Sequence, residues 1–458
     1  MKHLTYFLLL TSALALAGCS SSGDGSYDKT DVATAANVPA AWSTALSENV
    51  KGSENWLQEF ADPKLMALIK EGQNNNLDLK MAAGNMDTAW LLAEKSGAAL
   101  QPNVNLAING GQSGSVDGGG STSTFGVGLQ VDWELDVWGR IRSGSTAAEA
   151  QAQASQADYL FAKHSLSANI AKTYFKVIEA KLQAKITTEN LAVLEKTMSI
   201  TQVKYDNGLL TGQDVAINKV NLANASEQLI TTQSAKREAI RALEVLLGRY
   251  PDVSLDIPDV LPGLPAPPPA DLPSSVLERR PDIIAAERQV AAAYSATDQA
   301  KAAQLPRFSL NGNLGGSSDS LSNVLSPSNV AWQLASNLLV PLFDGGLRKI
   351  DVQIANVEQQ QALDNYRKSA LNAFSEIEQN LDNGRDFASR EKALKRAYQE
   401  SEKALKIANI RYQEGENELL DTLQIQQQAM SAKSSLLSIK RSQLEQRVNL
   451  YLALGGSW

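Results

Sequence analysis

Residues 145–207 read STAAEAQAQASQADYLFAKHSLSANIAKTYFKVIEAKLQAKITTENLAVLEKTMSITQVKYDN. The run contains no Gly and no Pro and is rich in Ala, Gln, Lys, Glu and Leu, so helix is favoured throughout. As one helix its 63 residues would reach about 95 Å. An ordinary globular helix has about 11–12 residues. A second run, Leu347 to Glu414, is interrupted only by Gly384. Two such helices in one chain demand a use for their length.

Working outward, the two halves of the chain correspond. Pro102 and Pro306 lie 204 residues apart, and each opens a strand-like run. Tyr205 and Tyr412, Gly208 and Gly415, and Leu247-Gly248 and Leu454-Gly455 are each 207 apart. Recurrence at one spacing with little drift reads as an internal duplication. Residues 56–250 form the first repeat and 274–456 the second. Residues 251–273, with LPGLPAPPPADLP, form a Pro-rich connector too rich in proline to be helical. The expected strands are about 103–110 and 124–134, then 307–315 and 330–340. The expected long helices are about 141–207 and 212–247, then 346–413 and 418–454.

The strands alternate with period two. Phe125, Val127, Leu129, Val131 and Trp133 interleave with Gly126, Gly128, Gln130 and Asp132. Val104, Leu106 and Ile108 interleave with Asn103, Asn105, Ala107 and Asn109. Phe308 and Leu310, then Val330, Trp332 and Leu334, do the same in the second half. All apolar residues fall on one face. The other face is small and polar, as a wet lumen requires, and each segment is about the 9–11 residues that cross a bilayer at a tilt. Long Gly/Ser/Asn-rich loops are expected from Gly110 to Thr124 and from Gly315 to Asn329. A soluble sandwich would share the alternation. Four strands cannot close a membrane barrel, since the smallest have about eight and open edges are excluded from lipid. The chain must therefore oligomerise, a trimer giving twelve strands and a dimer eight.

The helices carry heptads: Leu423, Met430, Leu437, Leu444 and Tyr451 fall every seven residues, as in side-by-side coiled-coil packing. Gly208 and Gly415 supply helix stops, and Asp214 and Asp421 begin the returning helices, where the helix dipole favours negative charge. The tip residues Tyr205, Asp206, Asn207 and Gly208 serve turn chemistry or partner docking.

Composition excludes several classes. With 42 Lys and Arg against 50 Asp and Glu, a net charge of −8 argues against non-specific nucleic-acid binding. His164 is the single His beyond residue 3, and no Walker-type loop or HExxH motif is present. No catalytic reading survives, and no cofactor or metal is expected. His164 itself is expected at the surface.

Residues 1–18, with Lys2 and a short apolar run, read as a signal peptide. Leu16-Ala17-Gly18-Cys19 then resembles the lipobox of bacterial lipoproteins. That resemblance implies cleavage before Cys19, the chain's one cysteine, and its acylation. Residues 19–55 are then a lipidated tether. Ser20, in place of Asp, implies sorting to the outer membrane.

Larger motifs extend the resemblance over nearly the whole mature chain. They are WLQEFADPKLMALI at 56–69, Asn76-Leu77-Asp78-Leu79, and LPSSVLERRPDIIAAE at 272–287. WELDVWGRIR at 133–142, PLFDGGLR at 341–348, RYQEG at 411–415 and LALGG at 452–456 follow in order. The chain resembles the TolC-type outer-membrane factor family, in its lipoprotein (OprM-like, NodT) branch. The resemblance implies a mixed α and β membrane protein. It would be a homotrimer with a twelve-stranded transmembrane β-barrel, four strands per chain, continued by a periplasmic α-helical barrel. It further implies an outer-membrane exit duct of a tripartite efflux system, working with a periplasmic adaptor and an inner-membrane pump of the RND type, lipid-anchored in the outer membrane. The adaptor-docking turns would be Tyr205, Asp206, Asn207 and Gly208 with Tyr412, Glu414 and Gly415. The aperture would be held by Leu405, Asn409 and Tyr412. Family members often carry Asp there; here the sequence is Lys403-Ala-Leu-Lys406-Ile-Ala-Asn409, which points to apolar and amide contacts. A protein-secretion duct of type I and a non-conducting periplasmic coiled-coil scaffold are the alternatives.

Overall fold

A computed structural model describes residues 38–39, 41–43, 56–117, 120–268 and 273–456. The stretch expected to be a signal peptide, Cys19 and most of the expected tether lie outside the described residues. The elements in order are α1 (Pro63–Asn75), α2 (Leu77–Ala98), β1 (Asn103–Gly114), β2 (Ser121–Leu135), α3 (Arg140–Asp206), α4 (Gly212–Leu246), α5 (Pro273–Arg279), α6 (Pro281–Ala302), β3 (Arg307–Ser318), β4 (Val330–Leu339), α7 (Leu347–Glu414) and α8 (Leu419–Ala453). Among the described residues no helix is long and apolar enough to cross a membrane. The chain divides into two compact units, and α2, α3, α6 and α7 contribute to both.

The first unit, built from residues 87–155 and 285–367, holds a four-stranded antiparallel sheet in the order β1-β2-β3-β4. Three of its strands, β1, β2 and β3, run further than their apolar residues do. Gly111 pairs with Thr124 and Gly114 with Ser121, so the loop expected from Gly110 to Thr124 is much shorter. Ladder hydrogen bonds come from the backbone, and Gly, Ser and Gln extend them without apolar side chains. The β3–β4 loop also shortens, because β3 continues to Ser318 and Leu321–Asn323 form one 3-10 turn. Val324 is buried there against Gly316, where a Cβ would lie 1.8 Å from the Val324 carbonyl oxygen.

Each strand-to-helix turn of this unit is closed by an aspartate. Asp136 accepts the backbone N–H groups of Ile141 and Arg142, each at 2.8 Å, at the start of α3. Asp344 accepts from Gly346 and Arg348 at the start of α7. Early helical N–H groups lack intrahelical partners, and these carboxylates supply them. Arg140 adds a fork of hydrogen bonds to both oxygens of Glu134 at 2.9 Å, tying the helix start back to β2.

The second unit, from residues 38–86, 156–284 and 368 onward, contains the main core. Ile170, Tyr174, Phe175 and Ile178 of α3 are fully buried among Phe60, Leu65, Ile69, Leu243, Leu247, Leu444 and Tyr451. The Phe60 and Phe175 rings stand 5.4 Å apart. Asp62 caps α1 through Lys64 and Leu65 and accepts the Tyr174 hydroxyl at 2.9 Å. The connector is laced down by polar side chains. The buried Glu244 carboxylate accepts the backbone N–H groups of Val253, Ser254 and Leu255. Lys64 pairs with Asp256, Lys181 pairs with Asp259, and Arg447 donates to the Pro265 carbonyl. The LERRPD motif works locally: Arg280 is buried and bonds Asp282, Glu376 and the Ala453 carbonyl. His164 is not a surface residue. Its Nδ1 is buried, because Gly456 folds back onto it so closely that a Cβ would sit 2.8 Å away.

Away from that core, α3 meets its neighbours through polar contacts. Gln183 faces Ser434 and Ser438, Gln426 donates to Asn190 at 2.8 Å, and Thr187 meets Thr232 at 2.8 Å. The Gln- and Ser-rich faces are used as interhelical hydrogen-bonding seams.

Candidate functional site

Two surfaces stand out: the helix-hairpin tips of the second unit and the sheet of the first. At the first tip, Gly208 takes φ +72, a left-handed conformation that favours glycine. Its N–H bonds the Tyr205 carbonyl at 2.8 Å and Leu209 N–H bonds Lys204 at 2.9 Å. At the second tip Gly415, at φ +81, bonds Tyr412 and Glu416 bonds Arg411. Both are the same double closure of a helix C-terminus. Tyr205, Asp206, Asn207 and Gly208 are all exposed, as are Glu414 and Gly415. Leu209 is 73% exposed at the tip, a large apolar side chain that the sequence reading passed over.

The starts of the returning helices differ. Thr211 and Asp214 form a reciprocal capping box on α4. The Thr211 hydroxyl and backbone N–H both donate to Asp214, at 2.7 and 2.9 Å. These bonds hold the Asp214 carboxyl below its ordinary value of 3.8. On α8, Glu418 takes the cap position with no side-chain hydrogen bond to the helix.

Tyr412 is only 4% exposed and lies among Leu194, Ala225, Leu419 and Leu423. Its hydroxyl meets Thr201 Oγ1 at 3.1 Å, and Asn218 donates to the same oxygen at 3.0 Å. Lys204 sits 4.3 Å from the ring centroid and donates to the Tyr412 carbonyl at 2.8 Å. Tyr412 therefore joins one hairpin to the other and is not a freely exposed docking or lining side chain. Leu405 and Asn409, its companions in the expected aperture, are half-buried on α7. Thr201, Lys204 and Asn218 carry no motif, and their partnership with Tyr412 spans about two hundred residues of sequence.

The sheet is sided by its register. Leu106 pairs with Leu129, Leu129 with Leu314, and Leu314 with Trp332, so one apolar row crosses all four strands. The face is open to solvent: Ile108 is 72%, Trp332 78% and Leu334 68% exposed. The opposite face is ordered in rows as well. Asn105, Gln130, Asn313 and Gln333 form one amide row, and Ala107, Gly128, Gly315 and Ala331 form the adjacent small row. Asp132 pairs with Asn311, whose amide donates to it at 2.7 Å. Among the described residues no group of His, Cys, Asp and Glu is arranged to hold a metal ion.

Comparison with known proteins gives one consistent picture. A family model described as outer membrane efflux protein matches residues 68–249 and 272–456. The chain is 29% identical to the pyoverdine export outer membrane protein OpmQ of Pseudomonas putida KT2440, over 99% of this chain and 97% of that one. It is 30% identical to the cation efflux system protein CusC of Escherichia coli O6:H1, over 97% of each. Its fold is similar to the open-state crystal structure of the MtrE outer membrane channel of Neisseria gonorrhoeae. That likeness has a TM-score of 0.83 and 28% identity, over 92% of this chain and 96% of that one.

Proposed function

The chain belongs to the outer membrane efflux protein family, and from that premise we propose that it is the exit duct of a tripartite efflux system. An inner-membrane pump, of the RND type, delivers small solutes through a periplasmic adaptor, and this protein conducts them passively across the outer membrane. The observation that carries the reading is the sided sheet. An apolar face four strands wide, exposed, with an amide-lined face behind it, is what a wall between lipid and water requires. Two free sheet edges are not tolerated in lipid, so copies of the chain join edge to edge. Three copies give a twelve-stranded barrel.

The remaining features take roles within that frame. Cys19, acylated, anchors the tether. The long helices reach into the periplasm as the wall of a helical barrel, wet on both surfaces. The exposed turns at Tyr205–Gly208 and Glu414–Gly415 meet the adaptor, with Leu209 as an apolar contact between them and it. Leu405 and Asn409 narrow the periplasmic end, and Tyr412 holds the hairpin that carries them. The relatives' names speak of pyoverdine and of cations, both small solutes, which favours solute efflux over protein secretion.

Susceptibility profiling of a deletion strain tests the proposal. Deletion is expected to raise sensitivity to at least one class of drug or metal, and restoring the chain is expected to reverse it. Unchanged sensitivity throughout, with loss of a secreted protein instead, would replace solute efflux by protein secretion.

A further inference from the structure

The rim of the sheet that meets the helices holds the starts of β1 and β3 and the ends of β2 and β4. There the apolar series of two strands outlasts the strands. β2 ends at Leu135, yet Val137 continues the series Val131, Trp133 and Leu135. β4 ends at Leu339, yet Val340 and Leu342 continue the series Val330, Trp332, Leu334 and Leu338, in which Ser336 is the polar member. These side chains are uncovered: Val137 is more than half exposed, and Leu342 and Phe343 are each more than nine-tenths exposed. Two tryptophans at this rim are fixed by backbone carbonyls. Trp133 Nε1 donates to Leu100 at 2.9 Å and Trp138 Nε1 to Pro306 at 2.7 Å, and the Trp138 side chain stays open to solvent.

Charge is divided between the two rims. Residues 110–131 and 312–333, toward the hairpin loops, contain no Lys or Arg, and Asp117 and Asp319 are their charged residues. Residues 133–142, 306–311 and 336–349, at the helix rim, hold the cations Arg140, Arg142, Arg307, Arg348 and Lys349 against the carboxylates Glu134, Asp136 and Asp344. Each of those carboxylates is engaged: Glu134 by Arg140, Asp136 by the first N–H groups of α3, and Asp344 by Gly346 and Arg348. Arg307 belongs to the polar series of β3 with Ser309 and Asn311. Arg142 and Lys349 are left, both exposed, and neither forms an ion pair among the described residues.

Open aromatic and aliphatic side chains beside unpaired cations match the chemistry of a headgroup layer. Aromatic rings settle at headgroup level, and Arg and Lys bind phosphate. α3 and α7 begin after strands separated by one other strand, two strand spacings or about 10 Å, so each cation has room for its own headgroup. We propose that this rim is a phospholipid site: Arg142 and Lys349 each bind the phosphate of an anionic phospholipid, while Val137, Trp138, Leu342 and Phe343 sit among the upper acyl carbons. This rests on the reading of the sheet as a wall in lipid and deepens it. The wall is then held at a fixed depth by headgroup chemistry at its helix end, and not by apolar matching alone.

The test is thermal melting of the full-length protein, purified and stripped of lipid in a neutral detergent. Phosphatidylglycerol is expected to raise the melting temperature by several degrees, since a ligand held by the folded form alone stabilises it. Phosphatidylcholine with the same acyl chains, whose choline offsets the phosphate charge, is expected to raise it less, and inorganic phosphate not at all. Arg142→Gln combined with Lys349→Gln should melt like the native chain in phosphatidylcholine and lose the extra stabilisation by phosphatidylglycerol. Lys403→Gln, far along α7, should keep that stabilisation; losing it there too would mean unspecific charge and overturn the site. An equal shift from the two lipids, as when a neighbouring copy covers these side chains, would overturn the headgroup site and leave the lipid-facing sheet standing. An equal shift from inorganic phosphate would overturn lipid as the ligand in favour of a free anion. A phosphatidylglycerol effect that survives the double substitution would overturn the assignment to Arg142 and Lys349. No shift from either lipid, in a protein that also fails to float with vesicles of the same lipids, would overturn the wall in lipid as well.

Discussion

Single residues decide how the hairpins end. Gly208 and Gly415 were legible in the sequence, because a left-handed helix stop has few alternatives to glycine. The Thr211–Asp214 box was half legible: Asp214 was placed at a helix start, but its exchange of hydrogen bonds with Thr211 emerged only from the structure. Thr211→Ala is expected to cost about 1 kcal/mol of local stability, measurable as faster amide exchange in the first turn of α4. The same box carries a pH dependence. The Asp214 carboxyl titrates below its ordinary value of 3.8 in the folded chain. Its contribution is therefore complete above that value and is lost as pH falls through the lower folded one. Asp214→Asn should flatten this acid-side loss in α4 exchange rates. Tyr412 shows where single-residue reading ends. Its position near a turn looked like an exposed site, but its hydroxyl is buried against Thr201, 211 residues away in the chain, and no local pattern announces that contact. Cys19→Ser should abolish labelling by palmitate, and persistent labelling would contradict acylation at that residue.

At the scale of elements, the apolar alternation located all four strands and their common face. Around the first hairpin it stopped short, because it follows side chains while pairing follows the backbone through Gly111–Gly114 and Ser121–Thr124. The long helices were legible from their scarcity of Gly and Pro, and neither Gly144 in α3 nor Gly384 in α7 breaks its helix. The aspartates that start α3 and α7 were hidden inside motifs quoted for resemblance alone. The faces of β2 make a sharp prediction. Leu129 and Gln130 are neighbours on opposite faces. Leu129→Arg puts a guanidinium into lipid at a cost of about 2–4 kcal/mol near the midplane, and heat-resistant outer-membrane oligomer should be lost. Gln130→Arg points into the wet lumen and should assemble normally. Equal effects of the two would mean that the sheet does not divide lipid from water.

For the whole molecule, the sequence carries the expectation that other copies complete the wall, since four strands are too few for a closed membrane barrel. It could not convey which helix faces stay open, since the exposure of Leu347, Ile350, Ile354 and Val357 on α7 is visible only once the faces already used within the chain are known. The same limit applied to the aperture. Leu405 and Asn409 lie in the last turns before Gly415, where the family resemblance implies an aperture, and α7 is held near its end by Tyr412 and Lys204. On the proposed function, the assembled chain encloses a continuous aqueous path narrowed at that end. Single-channel recording of the purified oligomer in planar bilayers tests it most directly. A stable conductance is expected for the native protein, and a larger one when Leu405→Ala and Asn409→Ser are combined. A correctly assembled, membrane-inserted oligomer that passes no current in either form would contradict it.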